Sequence, residues 1–201
     1  MGILYNKKLL STRNTKTEKV FNGLFGNVTF EQVPYSSPLD YIRKYWAEFE
    51  KIPNTSNSLI GSMWECIINS LLYREGLLPF YRQAKVAFVP NVNFDIILYT
   101  HSFPVNISLK TSLRERYKQA DLEAIALKYV HRRAKSFLLT LESEEAKCCK
   151  EKVKSGEIIG LDRIIDCNTC EVNDLFNELH KIKDELTESN QVDVVTGILI
   201  K

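Results

Sequence analysis

The feature that most constrains the fold is the order of short apolar runs and helical stretches in the middle of the chain. Runs rich in Val, Ile and Phe, bounded by Pro, Asn or Ser, predict strands over 84–89, 94–99 and 105–109. Helices and strands then alternate along the chain, with helices expected over 112–133, 143–154 and 172–186 and strands over 136–141 and 161–167, and the run over 191–200 is a candidate for one further strand. Helices that alternate with buried strands predict an α/β fold, with three α/β/α layers around a mixed five-stranded sheet.

Length, charge and cysteine content bound the class of protein. A chain of 201 residues fits one domain with a sizeable core. The net charge of +2 is too small to indicate a nucleic-acid-binding protein by itself, so the distribution of basic residues matters more than their sum. The first residues do not resemble a secretion signal, and no apolar run has the length of a membrane span. With an odd number of cysteines, five, this predicts a cytoplasmic protein with reduced thiols and no membrane contact.

Three residues in the centre of the chain have the chemistry of a phosphodiester-cleaving site. Asp95 begins an apolar strand, Lys110 ends the next one, and Glu123 lies on the helix that follows. Phosphodiester hydrolysis is assisted by a divalent cation, and Mg²⁺ prefers carboxylate and carbonyl oxygens. We therefore expect Asp95, Glu123 and the main-chain carbonyl of Leu109 to bind Mg²⁺, with Lys110 beside the attacked phosphate. Each residue taken singly is more typical of a strand end or a solvated helix face, so the prediction depends on their combination.

These residues resemble the PD-(D/E)xK nuclease fold, in which an Asp and a Glu-x-Lys lie on adjacent strands of a β-hairpin. The sequence departs from that pattern twice, with Phe94 in place of the Pro and Ser108 in place of the second acid. The spacing from Lys110 to Glu123 is similar to that of the EcoRII-like branch of type II restriction endonucleases, which carries the second acid on the following helix. The resemblance, sharp over about 83–134, implies a Mg²⁺-dependent nuclease.

The resemblance also assigns a role to a glutamate on the helix before the first strand. Glu65 lies between Trp64 and Cys66 in an apolar stretch. In many PD-(D/E)xK nucleases a glutamate from this helix approaches the metal site, which implies that Glu65 binds a second metal ion or orients water. An exposed or capped helical glutamate is the alternative explanation.

Arg114, Glu115 and Arg116 resemble the recognition motif of the same branch. Arginine pairs in bidentate fashion with guanine in the major groove, and a carboxylate accepts a hydrogen bond from cytosine. The resemblance implies that these residues read a short palindrome containing CC and GG, and that cleavage ahead of the first C leaves 5′ overhangs. Tyr117 and Lys118 are expected to contact phosphate, although Tyr117 is equally typical of a core residue.

Residues 1–57 are predicted to form an N-terminal arm and helix that contacts DNA or the dimer partner, and residues 58–201 to form the catalytic and recognition core. Trp46 in the first part is available to stack on a flipped base, although an aromatic residue on an apolar helix face is more often part of the core. Basic residues of the arm are expected to follow the phosphate backbone, with a solvated terminus as the alternative. They are Lys7, Lys8, Arg13, Lys16 and Lys19.

The expected partners follow from the symmetry of the DNA site. Because one active site cuts one strand of double-stranded DNA, a palindrome predicts a homodimer or a higher oligomer. The resemblance further implies a cognate DNA methyltransferase in the same system, which protects the host DNA.

Two other functions and another metal are also consistent with the sequence. Ser108 at an acidic position favours a catalytically inactive DNA-binding protein on the same fold, and a structure-selective nuclease is a further alternative. Cys167 and Cys170, with Cys148 and Cys149 upstream, suggest zinc, but vicinal cysteines are poor paired ligands for a tetrahedral site. Small buried side chains are the more common role for such residues.

Overall fold

The structure, a computed structural model, describes residues 3–10, 16–89, 91–189 and 194–201. The helices within these ranges are α1 (Ile3–Asn6), α2 (Lys16–Gly23), α3 (Pro38–Glu50), α4 (Asn57–Arg74), α5 (Arg116–Val130), α6 (Ser143–Ser155) and α7 (Glu171–Lys181). The strands are β1 (Phe80–Val86), β2 (Phe94–Thr100), β3 (Pro104–Leu109), β4 (Lys135–Thr140), β5 (Arg163–Asp166), β6 (Leu186–Thr187) and β7 (Val194–Ile200). Helices and strands therefore alternate after β3, as the sequence predicts.

The strands form one mixed sheet, in the order β5-β4-β3-β2-β1-β7, with β6 paired to one end of β2. The pairs β1–β2, β2–β3 and β1–β7 are antiparallel, whereas β3–β4 and β4–β5 are parallel. The prediction of five strands is wrong, because the described residues contribute seven. The strands beyond those five are the C-terminal β7, which the apolar run over 191–200 suggested and which covers the outer edge of β1, and the two-residue β6, which was not predicted.

Helices cover both faces of this sheet. Alternate residues of β2 point to opposite faces, so that Ile96 packs with α3, α4 and α7 whereas Ile97 packs under α5. The helix α6 packs beside α5, where Cys149 joins the cluster that contains Leu138 of β4. The protein is therefore an α/β structure in which the sheet lies between two helical layers, and no helix of the described ranges is long and apolar enough to cross a membrane.

The N-terminal part of the chain is built into the main core. Leu4, Leu9 and Phe21 are almost fully buried and belong to the same apolar cluster as Trp64 of α4. Of the basic residues predicted to follow DNA, Lys7 donates a hydrogen bond of 2.5 Å to the hydroxyl of Tyr73. The N-terminal segment is therefore held against α4. Another of those basic residues, Arg13, lies outside the described residues, as do positions 191–193 of the predicted last strand.

The predicted starts of α5 and β1 are each wrong by four residues, for identifiable reasons, and the helix predicted to reach 186 ends at Lys181. The helix α5 begins at Arg116 and not at 112, because the turn before it has its own anchors. Leu113 is fully buried, its amide donates to the carboxylate of Glu145, and Arg114 has a left-handed φ of 26°. The strand β1 begins at Phe80 and not at 84, since pairing with β7 extends it toward its N-terminus.

The position of α5 on the sheet is fixed by a close contact with the segment before β5. Asp121 is buried, and its Oδ1 accepts hydrogen bonds from the amides of Gly160 (2.6 Å) and Leu161 (3.2 Å). A Cβ atom on Gly160 would lie 2.4 Å from the main-chain oxygen of Asp121, so only glycine allows this approach. The helix that carries Glu123 is thereby held at a defined height above the sheet.

Candidate active site

The hairpin formed by β2 and β3 brings Asp95 next to the end of β3. Ile96 pairs with Ile107, which places Asp95 one step along, beside Ser108. The Oδ2 atom of Asp95 accepts hydrogen bonds from the Leu109 amide at 2.8 Å, from Lys110 Nζ at 3.0 Å and from Ser108 Oγ at 3.3 Å. The serine at the position of the expected second acid is therefore a neighbour of Asp95.

The Asp95–Lys110 pair lies at the surface of the core but is shielded from bulk water. The side chains are 17% and 13% exposed, respectively. All three donors contact Oδ2, and within the described part of the chain no donor reaches Oδ1. One carboxylate oxygen thus orients the lysine, while the other remains available to a ligand.

Glu123 approaches this pair from α5. Its Oε1 accepts a hydrogen bond of 2.7 Å from Gln119 Nε2, which confirms that the two residues share one face of the helix. Partial burial raises the pKa of the Glu123 carboxyl, and the negative charge of Asp95 acts in the same direction. The Gln119 bond and the positive charge of Lys110 favour the ionised form and oppose this shift. Glu123 is therefore close enough to Asp95 and Lys110 to interact with both.

Glu65 approaches the same site from α4, on the other face of the sheet. Burial raises the pKa of its carboxyl, the charge of Asp95 raises it further, and the charges of Arg82 and Lys110 lower it. Asp95 and Lys110 are thus in direct contact, whereas Glu123 and Glu65 lie near enough to this pair to interact with its charges, and the four residues are called the cluster below. The cluster has three carboxyl groups, and two of them are made less acidic by burial and by their neighbours.

The donor set fits Mg²⁺ better than a softer metal. The cluster offers carboxylate oxygens, and Leu109, whose carbonyl is a predicted ligand, lies directly beside Asp95 through its amide hydrogen bond. No group of three or more His, Cys, Asp or Glu side chains in the described ranges is already arranged to hold a metal ion. A protein-bound Mg²⁺ usually keeps several water molecules or substrate phosphate oxygens among its ligands. Two carboxylates are therefore enough for the protein to contribute.

The predicted recognition residues lie on the turn between Lys110 and α5. Arg114, Glu115 and Arg116 are all exposed, and only Arg116 belongs to the helix. Glu115 forms an ion pair with Lys118. Neither guanidinium group has a hydrogen-bond or ion-pair partner among the described residues. Two unpartnered arginines are therefore presented a few residues away from the lysine of the cluster.

Of the two residues predicted to contact phosphate, Tyr117 packs against α6. The hydroxyl of Tyr117 accepts a hydrogen bond of 2.7 Å from Lys152, whose Nζ also lies 4.6 Å from the centre of the Tyr117 ring. Tyr117 thus ties the start of α5 to α6. Lys118 is exposed and remains accessible to a charged ligand, apart from its pair with Glu115.

A groove of about 690 Å³ opens beside Thr111 and Ser112, next to the cluster. Trp46 lines this groove and is only half-buried, although its indole nitrogen donates a hydrogen bond of 2.8 Å to Glu50. The groove lies where β3 and β4 end, and the carboxyl ends of parallel strands are a frequent location of ligand sites in α/β proteins. The Trp46 side chain therefore packs against the core on one side and is accessible from the groove on the other.

The cysteines do not form a metal site within the described residues. All five are free thiols; Cys148 and Cys170 are exposed, whereas the other three are buried. Burial raises the pKa of the Cys167 thiol well above its usual value, which disfavours the thiolate that a metal requires.

Sequence reasoning missed Arg82, which is 3% exposed on β1 and adjoins Glu65. The available signal is a charged residue in an apolar strand, but the strand was expected to begin two residues later. Gln83 has a φ of 47° and the pairing register with β7 shifts after Arg82, so regular alternation would not have shown which way Arg82 points.

Comparisons with protein-family models, curated proteins and solved structures find no match. The function is therefore argued from the geometry of the cluster.

Proposed function

We propose that this protein is a type II restriction endonuclease with a PD-(D/E)xK core, which hydrolyses double-stranded DNA at a short palindrome containing CC and GG. The observation that supports the proposal is the convergence of Asp95, Lys110 and Glu123, with two unpartnered arginines on the adjoining turn. Carboxylates and a lysine at the end of a β-hairpin are the groups that metal-assisted phosphodiester hydrolysis uses. The arginines supply the donors that guanine recognition needs.

Each residue of the cluster has a chemical role in this proposal. Asp95, Glu123 and the Leu109 carbonyl would hold Mg²⁺, which offsets phosphate charge and makes a bound water more acidic. Asp95 also orients Lys110 through Oδ2, and Lys110 donates to a phosphate oxygen or to the attacking water. Glu65, which interacts with Asp95, binds a second metal ion or positions water. Cleavage ahead of the first C leaves 5′ overhangs.

Reading of the DNA depends on the exposed turn. Arg114 and Arg116 extend free guanidinium groups that can each contact a guanine, and Glu115 offers an acceptor to cytosine once it releases Lys118. A palindrome requires two such turns related by a twofold axis, so the active form is a homodimer or a pair of dimers. A methyltransferase of the same specificity would protect the host DNA.

The experiment is digestion of a fully sequenced, unmethylated phage DNA with Mg²⁺ or with EDTA, followed by sequencing of the fragment ends. We expect Mg²⁺-dependent ends that share a palindrome with CC and GG. Lys110→Ala should abolish cleavage but retain binding in Ca²⁺, because the lysine acts on the reacting phosphate. Lys154→Ala is the matched control, since Lys154 is 72% exposed on α6 and, among the described residues, forms an ion pair with Glu151 alone.

Arg116→Ala should weaken specific binding by about 1–3 kcal/mol for the lost bidentate contact and leave non-specific binding nearly unchanged. Cleavage by the Lys110 variant at the wild-type rate would contradict the assignment of the site. Equal weakening on all DNA sequences would contradict the role of Arg116 in base reading.

The second candidate function is a catalytically inactive DNA-binding protein. It is favoured by Ser108, which occupies the expected acidic position and donates to Asp95. Intact phage DNA in Mg²⁺, with specific binding in Ca²⁺, would support this alternative. Structure-dependent nicks without a shared sequence would instead support a structure-selective nuclease.

A further inference from the structure

Arg82 is a buried charge that connects two parts of the molecule. Its Nη1 donates a hydrogen bond of 2.9 Å to the main-chain oxygen of Lys8, and its Nη2 lies 4.0 Å from Oε2 of Glu65. Its Nε has no hydrogen-bond partner in the described part of the chain. One guanidinium group thus contacts the N-terminal segment on one side and the carboxylate cluster on the other.

A buried arginine with these contacts is not expected to stabilise the fold. Removing a guanidinium group from water costs several kcal/mol, and a buried ion pair recovers this only with good geometry and complete hydrogen bonding. Arg82 has a distant pair, one hydrogen bond and one unsatisfied donor. An apolar side chain of similar size would fill the same space at lower cost, so the charge calls for another role.

The partner on the N-terminal side is a fixed acceptor. Lys8 has a left-handed φ of 59°, in a tight turn in which the Leu9 amide donates to the Leu4 carbonyl. Leu4 and Leu9 on either side are fully buried. The Lys8 carbonyl therefore has little freedom to move, and it fixes one arm of the guanidinium group.

We propose that Arg82 is a positioning residue that holds the Glu65 carboxylate at the candidate active site and anchors it to the N-terminal segment. The inference rests on the proposed function, because it gives Glu65 a role in binding metal or water. A planar fork can contact two fixed partners at once, which a lysine ammonium on a flexible stem cannot do. The positive charge of Arg82 also acts to lower the pKa of the Glu65 carboxyl, which opposes the larger effect of burial.

The test is a double-mutant cycle between Arg82 and Glu65. Arg82→Met should lower Ca²⁺ affinity, measured by calorimetry, and Mg²⁺-dependent cleavage by roughly 10–100-fold, as is typical for residues that orient metal ligands. In the Glu65→Gln background the same substitution should have almost no further effect on either quantity. Arg82→Lys should restore only part of the loss, because it keeps the charge but contacts one partner.

Arg74→Met is the matched control. Arg74 is a half-buried arginine that ties the N-terminal region to α4, since its Nη1 donates to the carbonyls of Phe30 (2.5 Å) and Val33 (2.7 Å). It contacts no carboxylate of the cluster, so this variant should lower the melting temperature and leave cation affinity unchanged. If Arg82→Met does not fold, Arg82→Lys and Arg82→Gln are compared in the same cycle.

The outcomes separate this inference from the proposed function. An equal loss of cation affinity with and without the Glu65 carboxylate, or no loss at all, would overturn the role of Arg82. A wild-type protein that binds Ca²⁺ but does not cut DNA would overturn the nuclease alone, and the cycle in cation affinity would still decide about Arg82. A wild-type protein that neither binds the cation nor cuts would overturn both.

Discussion

Gly160→Ala tests whether the contact between α5 and the segment before β5 sets the position of Glu123. The added Cβ would lie 2.4 Å from the Asp121 oxygen, 2.7 Å from the Ile125 nitrogen and 2.8 Å from Ile125 Cγ1. Carbon–oxygen contacts normally lie at about 3.3 Å or more, so α5 must move by roughly 1 Å. The two nearest atoms belong to the helix backbone and cannot rotate away.

The cost can be estimated from the same geometry. Forcing a methyl group into a well-packed contact costs about 1–3 kcal/mol. The displacement also lengthens the hydrogen bonds from Gly160 and Leu161 to Asp121, so a value toward the upper end of that range is expected. For a chain of this size 1 kcal/mol corresponds to about 2–4 °C in melting temperature. A reactive group misplaced by 1 Å can cost on the order of 100-fold in rate, so the proposed function predicts a loss of cleavage of that size.

Gly61→Ala provides the control for this substitution. Gly61 lies within α4, and a Cβ there would meet no atom within 4 Å. Alanine is favoured over glycine in a helix, so this variant should gain about 0.5–1 kcal/mol. Urea denaturation followed by circular dichroism measures both. A loss below about 0.5 kcal/mol for Gly160→Ala, within the range of an ordinary surface substitution, would refute the close contact.

Two further predictions follow from burial. Burial and the charge of Asp95 raise the pKa of the Glu123 carboxyl, so the folded protein loses stability as the pH rises through the pKa of Glu123 in the folded state. Glu123→Gln removes the charge and should be more stable than wild type at about pH 8. Urea denaturation should show no such gain below about pH 4, where the carboxyl is protonated in both states. A gain that does not depend on pH would contradict this. Of the five thiols, Cys148 and Cys170 should react rapidly with a thiol reagent in the native protein and the other three only on unfolding; a third fast thiol would show that the packing is wrong.

Much of the fold was accessible from the sequence because it depends on local patterns. The apolar runs around Asp95 and before Lys110 indicated the hairpin, and the apolar stretch around Glu65 indicated a helix before the first strand. The boundaries of α5 and β1 were not accessible, since they depend on partners distant in the chain. The amide of Leu113 bonds to Glu145 on α6, and Phe80 pairs with Ile200 of β7.

The candidate site also has parts that the sequence predicted and parts that only the folded structure shows. The residues Asp95, Lys110 and Glu123 were predicted from their types and from a spacing that resembles the PD-(D/E)xK pattern of one branch of restriction endonucleases. Their convergence, and the exposure of Arg114 and Arg116, are properties of the folded chain. Arg82 was missed, because its neighbours Lys8 and Glu65 come from segments that no local pattern relates to β1.

By itself, then, the sequence determined the alternation of strands and helices and the chemical identity of the carboxylates, the lysine and the arginines. Only the tertiary structure decided how many strands pair, which carboxylates share one electrostatic environment, and that Arg82 is buried beside Glu65. The physical reason is the range of the interactions. Periodicity and helix spacing act over a few residues, whereas burial, ion pairing and strand pairing join atoms such as those of Arg82 and Lys8, which are 74 residues apart in the chain.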